Sequence, residues 1–353
     1  MLPYWLLFSA GSVLALTSWW RQTGVASRVI GLALGVYLTI FVGYRFEVGA
    51  DWVPYEIIFL TINNMSLENA VTFLEPGYSL LNWLVGLFGG SLWHVNLVCA
   101  ALFFGALVRF CTILPLPGVA FLVAIPTLIV VVSMSLTRQA SAVACIMLAI
   151  KAFEGSFNMR WAAWLVLAAT FHNSAILVFP IFVLAASRNR VVSIVLGAGV
   201  ILALLSIFIL ENAQVLIDRY FEGDLQSSGT LPRIGLAIIP ALLFFLIRDR
   251  KQWLGERYTL WRNLALASML LIPMLFLVRS TTAIDRVAIL FSPLQLLFYS
   301  LAPLAFARSK AWQTVIIIGI IALNGLVLAV WLLFAEYSQY WVPYHNVLFE
   351  RYL

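Results

Sequence analysis

Long apolar runs, separated by short polar segments, follow one another from one end of the sequence to the other. A helix of about 20 apolar residues crosses the hydrocarbon core of a bilayer, and most runs approach that length with few charges. The pattern therefore predicts membrane-spanning helices. We predict about twelve, near residues 3–19, 29–44, 93–110, 117–134, 138–151, 160–171, 173–187, 192–210, 232–247, 262–278, 286–306 and 312–334.

One apolar segment breaks the pattern. Residues 76–90, PGYSLLNWLVGLFGG, open with Pro-Gly, close with Gly-Gly and are short for a span. Glycine and proline mark the ends of helices, so we predict a re-entrant or interfacial helix here. If this segment does not cross, most of the 21 Lys and Arg residues lie on one side and most of the 15 Asp and Glu residues on the other. The positive-inside rule makes the basic side cytoplasmic.

The amino-acid composition also indicates a membrane protein, and it limits which cofactors and partners we expect. The 353 residues are 63% hydrophobic with a mean hydropathy of +1.01, more apolar surface than a soluble domain can bury. We predict an all-α polytopic membrane protein whose single transmembrane domain covers residues 1–353. The three cysteines lie inside apolar runs without metal-type spacing, so we predict no metal and no other cofactor. The net charge of +6 suits basic cytoplasmic loops, and we predict no nucleic-acid partner.

The long loops collect on the acidic, outer side: residues 45–92 with the interfacial helix, residues 211–231, and the tail 335–353. Every basic residue placed there against the positive-inside rule is an arginine: Arg45, Arg138, Arg219, Arg233, Arg279, Arg286 and Arg351. A guanidinium group binds phosphate through two parallel hydrogen bonds, which lysine cannot do. The outer arginines therefore predict a phosphate or pyrophosphate site.

The first outer loop begins with RFEVGADWVPYE, residues 45 to 56, which places four charges in twelve positions. Asp51 follows the end of an apolar helix and has Trp52 and Tyr55 beside it. Partial burial at the membrane interface raises the pKa of a carboxyl group, so Asp51 is a candidate general base toward a sugar hydroxyl. The alternative is a set of ordinary interfacial aromatic residues and solvated acids.

Three further motifs carry polar side chains on the same side. EPGY places Glu75 at the start of a helix, SLTRQA places Arg138 at the outer end of another, and FHNSA places His172 between two short helices. Arg138 could instead extend to the lipid headgroups, and a lone histidine is more often a hydrogen-bonded structural residue than a catalyst.

Two more outer segments have simple structural interpretations. Arg279 and the pair Asp285-Arg286 flank a short turn, where a local ion pair of Asp285 with either arginine would satisfy the charges. The tail WVPYHN, residues 341 to 346, forms an aromatic cap that is most simply a membrane anchor.

Taken in order, R-x5-D-x3-Y from Arg45, EPGY, TRQA, FHNSA and W-x-PY-x-N resemble the EpsG family of Wzy-type exopolysaccharide and O-antigen polymerases. The resemblance covers nearly the whole chain and implies a membrane glycosyltransferase with a GT-C-like fold. Asp51 matches the acid that such enzymes carry in an early outer loop. Arg45 and Arg138 match polar positions of the family, and His172 matches its Phe-His-x-Ser element.

The function that this resemblance implies is the joining of undecaprenyl-pyrophosphate-linked oligosaccharides at the outer face of the bacterial cytoplasmic membrane. The polymer would be O-antigen, capsule or exopolysaccharide. Asp51 would be the base, and His172 would orient the acceptor or bind a phosphate oxygen. The substrate-binding candidates are Arg45, Tyr55, Glu75, Arg138, Arg279 and Arg286. A chain-length regulator and a flippase are the expected protein partners within the lipid bilayer.

Three alternatives remain open at this point. An O-antigen ligase-like glycosyltransferase differs mainly in its acceptor. A flippase for lipid-linked oligosaccharides would need arginines for pyrophosphate and also charges deep in its helices, whereas the predicted helix centres are nearly free of charge. A membrane O-acyltransferase could use His172 as its base, although only Asn173 and Ser174 stand beside it as polar partners.

Overall fold

The computed structural model describes residues 1–17, 25–187, 230–277 and 281–349, together with residues 195 and 199. All regular elements in these residues are helices, which confirms the all-α prediction. The predicted helix 192–210, nearly all of the predicted loop 211–231, and Arg279 lie outside the described residues.

The helices follow one another closely along the described chain. They are α1 Leu2–Leu16, α2 Val25–Gly43, α3 Trp52–Asn63, α4 Leu67–Phe73, α5 Pro76–Leu87, α6 Leu92–Cys111, α7 Pro117–Ala124, a π-helix Ile125–Val132, α8 Ser133–Ser135, α9 Thr137–Ala152, α10 Met159–Phe171, a 3-10 helix Asn173–Val178, α11 Phe179–Ala186, α12 Thr230–Phe244, α13 Arg250–Leu254, a 3-10 turn Gly255–Arg257, α14 Tyr258–Met269, α15 Leu271–Leu277, α16 Thr281–Leu290, α17 Ser292–Phe306, α18 Lys310–Phe334 and a 3-10 turn Ser338–Tyr340.

Four segments of the described chain are long and apolar enough to cross a membrane: 92–111, 117–135, 250–276 and 310–334. Helices α16 and α17 meet at a 52° bend and make a fifth span if they are counted as one. Five shorter apolar helices of 10–17 residues accompany them. The chain is therefore a membrane protein, while the prediction of about twelve spans is not confirmed in number.

The predicted outer loop 45–92 is largely helical. We predicted one re-entrant or interfacial helix there, and the structure has three helices: α3, α4 and α5. Helix α5 begins at Pro76, as the EPGY motif predicted, with Glu75 as its N-cap residue. Helix α3 buries Trp52, Tyr55 and Phe59 on one face, and this face packs against α5 and α6. The opposite face exposes Val53, Ile57 and Leu60, so α3 has apolar residues on both faces and shows no clear helical pattern in the sequence.

Packing divides the described chain into two compact units. Unit 1 contains residues 1–148, 167–173 and 299–353, and the segment 117–135 forms its core. Of this segment, 94% of the most apolar window is buried, so it is apolar on all sides because all sides face protein. A Cβ atom at Gly118 would lie 2.2 Å from the carbonyl oxygen of Leu14, and glycine thus allows α1 and α7 to pack closely.

The C-terminal tail of unit 1 packs into this core. Trp341 is buried, its indole Nε1 donates a hydrogen bond of 2.8 Å to the carbonyl of Val130, and its own carbonyl accepts one from the Tyr4 hydroxyl, also at 2.8 Å. An indole inside the protein cannot anchor to lipid, so for Trp341 the membrane-anchor interpretation is wrong. The tail instead fixes the far end of the chain to the central segment.

The same tail holds the loop that precedes Asp51. Arg45 and Asn346 form an antiparallel bridge, and the Gly49 amide donates a hydrogen bond of 2.9 Å to the carbonyl of Tyr340. Gly49 has φ of 106°, and a Cβ atom there would lie 2.1 Å from the Met134 carbonyl oxygen. Only glycine fits this turn, which places Asp51 at the start of α3.

Unit 2 contains residues 149–166 and 174–298. Within it α14 packs against both α11 and α12, and α12 also contacts α16. The guanidinium of Arg257 donates hydrogen bonds to the carbonyls of Ile150 at 3.2 Å and Lys151 at 2.9 Å. These bonds satisfy carbonyl groups near the C-terminus of α9, which have no partner within the helix itself.

Candidate active site

Three of the predicted site residues meet in unit 1. Glu75, at the start of α5, accepts a hydrogen bond of 2.6 Å from Nη1 of Arg138 on its Oε2 atom. Its other oxygen, Oε1, lies 3.2 Å from Nδ1 of His172, at the end of α10. The carboxylate therefore joins an arginine and a histidine that are distant in the sequence. The EPGY, TRQA and FHNSA motifs converge through these contacts.

The electrostatic balance of this cluster fixes the charge of Glu75. The side chain is only 7% exposed, and burial alone would raise the pKa of its carboxyl group. The hydrogen bond from His172 and the positive charge of Arg138 overcome that effect and lower the pKa to about 2. Glu75 is thus an ionised carboxylate at neutral pH, and it compensates the charge of Arg138.

Tyr55 connects this cluster to the first loop. Its hydroxyl accepts a hydrogen bond of 3.4 Å from the backbone amide of Arg138, and the Arg138 guanidinium lies 5.9 Å from the centre of its ring. Burial raises the pKa of Tyr55; the charge of Arg138 opposes this shift, and the charge of Asp51 adds to it. The pKa of the Tyr55 hydroxyl is therefore affected both by the carboxylate of Asp51, one helical turn before it, and by the guanidinium cation of Arg138 on α9.

Asp51 is the N-cap residue of α3 and is half-buried. Its backbone amide donates a hydrogen bond of 3.3 Å to the hydroxyl of Ser135, which lies just before α9. Asp51 and the Glu75 cluster thus both lie beside the segment 135–138. A carboxylate near a partly exposed arginine, a histidine and a buried tyrosine can exchange a proton with a bound hydroxyl.

Arg45 is placed very differently from Arg138. It is 2% exposed, and its guanidinium donates hydrogen bonds to four protein acceptors: the carbonyls of Val42 at 2.8 Å and Val48 at 3.2 Å, Oδ1 of Asn96 at 3.3 Å and Oγ1 of Thr137 at 2.9 Å. A phosphate could bind Arg45 only by displacing these groups. The geometry therefore favours a structural role over the predicted substrate contact.

Unit 2 holds a separate ion pair. Nε of Arg233 donates a hydrogen bond of 2.5 Å to the carboxylate of Asp285, and both side chains are largely buried. The charge of Arg286 also acts on Asp285. The ion pair that the structure shows is the long-range one with Arg233, which was not predicted from the sequence. Arg286 keeps its predicted substrate role as a prediction, and the predicted role of Arg279 falls outside the described residues.

The chain that carries these motifs matches a known family. Residues 28–346 match the sequence pattern of the EpsG family, which is nearly the whole chain. The chain belongs to the EpsG family. EpsG is a family of Wzy-type polymerases, so the resemblance drawn from the five motifs is confirmed. No curated protein and no solved structure matches the chain.

In this EpsG-family protein, sequence reasoning selected Glu75, Arg138, His172 and Tyr55, and the structure brings them together. It missed the neutral polar residues that hold the charged ones in place, among them Ser135, Asn96 and Thr137. Their signal was available, because serine and threonine flank Arg138 in the SLTRQA motif. Asn96 lies inside an otherwise apolar helix, where a buried amide needs a partner.

Proposed function

We propose that this EpsG-family protein is a polysaccharide polymerase that joins undecaprenyl-pyrophosphate-linked oligosaccharide repeat units. The reaction would take place at the outer face of the bacterial cytoplasmic membrane, which the positive-inside rule assigns to the 45–92 segment. Family membership and the membrane-spanning helices support this proposal. The product would be exopolysaccharide, capsule or O-antigen.

One observation carries the proposal: an ionised carboxylate, an arginine and a histidine are held together in unit 1 of a chain with only 10% charged residues. Buried charges are costly in a membrane protein and are retained where they serve a function. Arg138 keeps part of its side chain exposed, at 23%, which lets it contact a ligand as well as Glu75. A guanidinium in this position suits a pyrophosphate leaving group.

The proposed reaction is a glycosyl transfer. A hydroxyl oxygen of the acceptor forms a bond to the anomeric carbon of the donor. The bond from that carbon to the pyrophosphate oxygen breaks, and the electron pair leaves with undecaprenyl pyrophosphate. Asp51 takes the hydroxyl proton, and Arg138 stabilises the charge that develops on the pyrophosphate. Arg286 and Arg279 stay candidates for additional phosphate contacts.

Chain extension by the purified protein tests this proposal. The protein in nanodiscs is given undecaprenyl-pyrophosphate repeat units from its own cell, and Asp51→Asn and Arg138→Lys are compared with wild type. We expect a ladder of products from wild type, and loss of the ladder from both variants while they stay folded. Glu56→Gln is the matched control, because Glu56 is an exposed acid on the same helix as Tyr55.

The proposal fails if wild type makes no ladder from its native repeat unit. Movement of that lipid across a vesicle bilayer without extension would identify a flippase instead. A single transfer to a different acceptor, again without extension, would identify a ligase.

A further inference from the structure

The contact between Glu75 and His172 determines which ring nitrogen carries hydrogen. Glu75 is ionised, and an ionised carboxylate only accepts hydrogen bonds. Nδ1 of His172, at 3.2 Å from the carboxylate, must therefore be the donor. In a neutral imidazole only one nitrogen carries a proton, so Nε2 then has a lone pair and acts as an acceptor.

Nε2 of His172 is buried and has no hydrogen-bond partner among the residues that the structure describes. A buried acceptor without a partner costs free energy, and a ligand that supplies a donor recovers it. A phosphate oxygen has no proton to donate to this nitrogen when it is fully ionised. A sugar hydroxyl does.

We propose that Glu75 holds His172 as the Nδ1–H tautomer and that Nε2 accepts a hydrogen bond from a hydroxyl of the acceptor glycan. This inference rests on the proposed function and deepens it, since it assigns one residue of the cluster to the donor substrate and another to the acceptor. Arg138 faces the pyrophosphate of the donor, and His172 faces the sugar of the acceptor. Glu75 is the positioning residue for both, because each of its oxygens binds one of them.

His94 provides a matched comparison inside the same unit. Its Nδ1 accepts a hydrogen bond of 3.0 Å from the backbone amide of Ser91, so its proton lies on Nε2. The two histidines are therefore opposite tautomers, and each is fixed by the hydrogen bond at Nδ1. His94 caps the start of α6, where its role is structural.

The first experiment measures the tautomers directly. Nitrogen-15 NMR of histidine-labelled protein at neutral pH distinguishes a protonated ring nitrogen from one with a lone pair, and His172→Gln and His94→Gln assign the signals. We expect His172 to carry its proton on Nδ1 and His94 to carry its proton on Nε2. In Glu75→Gln the His172 signal should change and that of His94 should stay, and Glu68→Gln, a change of an exposed acid on α4, should alter neither.

A His172 ring with its proton on Nε2, or with protons on both nitrogens, would overturn the proposal. In either state Nε2 is a donor, which suits a phosphate oxygen instead of a hydroxyl.

The second experiment asks which substrate reaches Nε2. The repeat-unit oligosaccharide without lipid or phosphate, and undecaprenyl pyrophosphate without sugar, are titrated separately against the His172 signal. We expect the oligosaccharide to shift the Nε2 resonance and the pyrophosphate lipid to leave it in place. The reverse pattern, or a resonance that responds to neither probe and so reports only a trapped water, would overturn the inference.

Kinetics with wild type and His172→Gln complete the test. In His172→Gln we expect the concentration of the acceptor oligosaccharide that gives half-maximal extension to rise about tenfold, which corresponds to the loss of one hydrogen bond. The concentration of the lipid-linked donor that gives half-maximal extension should stay within about twofold of the wild-type value. A rise for the donor alone would contradict the assignment. The NMR titration needs no turnover, so it still judges this inference if the chain-extension assay rejects the polymerase.

Discussion

Arg45 and Arg138 occupy the same unit and matched the same family pattern, yet their surroundings differ in kind. Arg45 is enclosed by four neutral acceptors, and burial lowers the pKa of its guanidinium to about 10, which leaves it charged at neutral pH. Arg138 shares one carboxylate with a histidine, lies against an aromatic ring and keeps 23% of its side chain exposed. The guanidinium of Arg45 is held by hydrogen bonds to the protein. The side chain of Arg138 is partly exposed and can still contact a ligand.

This difference teaches how a buried charge can be used. Arg45 donates hydrogen bonds to the end of α2, the turn before Asp51, α6 and α9, so its guanidinium holds these four segments together. Arg138 is neutralised by Glu75, so it can approach a ligand of high negative charge without leaving an unpaired charge in the resting protein. Of these two arginines, Arg45 therefore has a structural role and Arg138 is the candidate for substrate binding.

The largest expected effect comes from Arg45→Met. Methionine fills a similar volume but leaves four acceptors without a donor, and each such loss is costly inside a protein. We expect the free energy of unfolding to fall by about 4 kcal/mol or more, with poor yield of folded protein. Thermal unfolding in detergent, followed by circular dichroism, measures the change. Stable, fully folded Arg45→Met that has lost only activity would show instead that Arg45 serves the substrate.

Arg138→Lys should separate chemistry from fold. Lysine keeps the positive charge beside Glu75, so we expect stability within about 1 kcal/mol of wild type. It loses the planar fork that binds phosphate through two bonds, so we expect chain extension to fall about 100-fold. Unfolding and extension rates are measured on the same preparation. Arg160→Lys, at an exposed arginine of α10, is the control and should change neither. Full activity of Arg138→Lys would remove Arg138 from leaving-group binding.

The sequence predicted the all-α class and most of the helices, because apolar runs with few charges have one stable arrangement in a bilayer. It also selected Glu75, Arg138 and His172 through short motifs. It did not reveal that Glu75 joins the other two, since 63 residues separate it from Arg138 and 97 from His172. Long-range contacts of this kind depend on how helices pack, and helix periodicity does not encode their partners.

Arg45 and Trp341 show the complementary failure. Each has a residue type that is common at membrane surfaces, where arginine binds phosphate and tryptophan anchors to the interface. Both are instead enclosed by unit 1, with 2% and 1% of their surface exposed. Residue type predicts a chemical capacity, but only the packing of the chain decides whether solvent or ligand can reach it.

Acid should weaken the Arg138 cluster through Glu75. Its carboxyl pKa is lowered from 4.5 to about 2 in the folded protein, so the ionised group stabilises the fold above pH 4.5 and this contribution is lost as the pH falls from there toward 2. At about 1.4 kcal/mol per pH unit, the full contribution is about 3 kcal/mol. Unfolding temperatures from neutral pH to about pH 3 measure this loss in wild type.

Glu75→Gln is the informative comparison, because its side chain cannot ionise and keeps a similar shape. We expect it to be less stable than wild type at neutral pH, with a difference that shrinks as the pH falls below 4.5. Glu68→Gln controls for the loss of an acid on the protein surface and should follow wild type throughout. A constant difference between Glu75→Gln and wild type at every pH would show that Glu75 is not ionised in the fold.

The smallest expected effect concerns Tyr55, which lies between Asp51 and the Arg138 cluster. Tyr55→Phe keeps the ring beside the guanidinium and removes only the hydroxyl. That hydroxyl accepts a long hydrogen bond of 3.4 Å from the Arg138 amide and another from the Arg138 side chain, which keeps Glu75 as its partner in the variant. We expect a loss of about 1 kcal/mol or less in stability and less than about tenfold in extension rate. A loss of extension as large as that of Arg138→Lys, with the fold intact, would mean that the Tyr55 hydroxyl contacts substrate itself. The substrate-binding region would then extend along α3 from the Arg138 cluster to Asp51. Arg45 would lie in the protein interior, and Arg138 would be one part of a continuous substrate-binding surface.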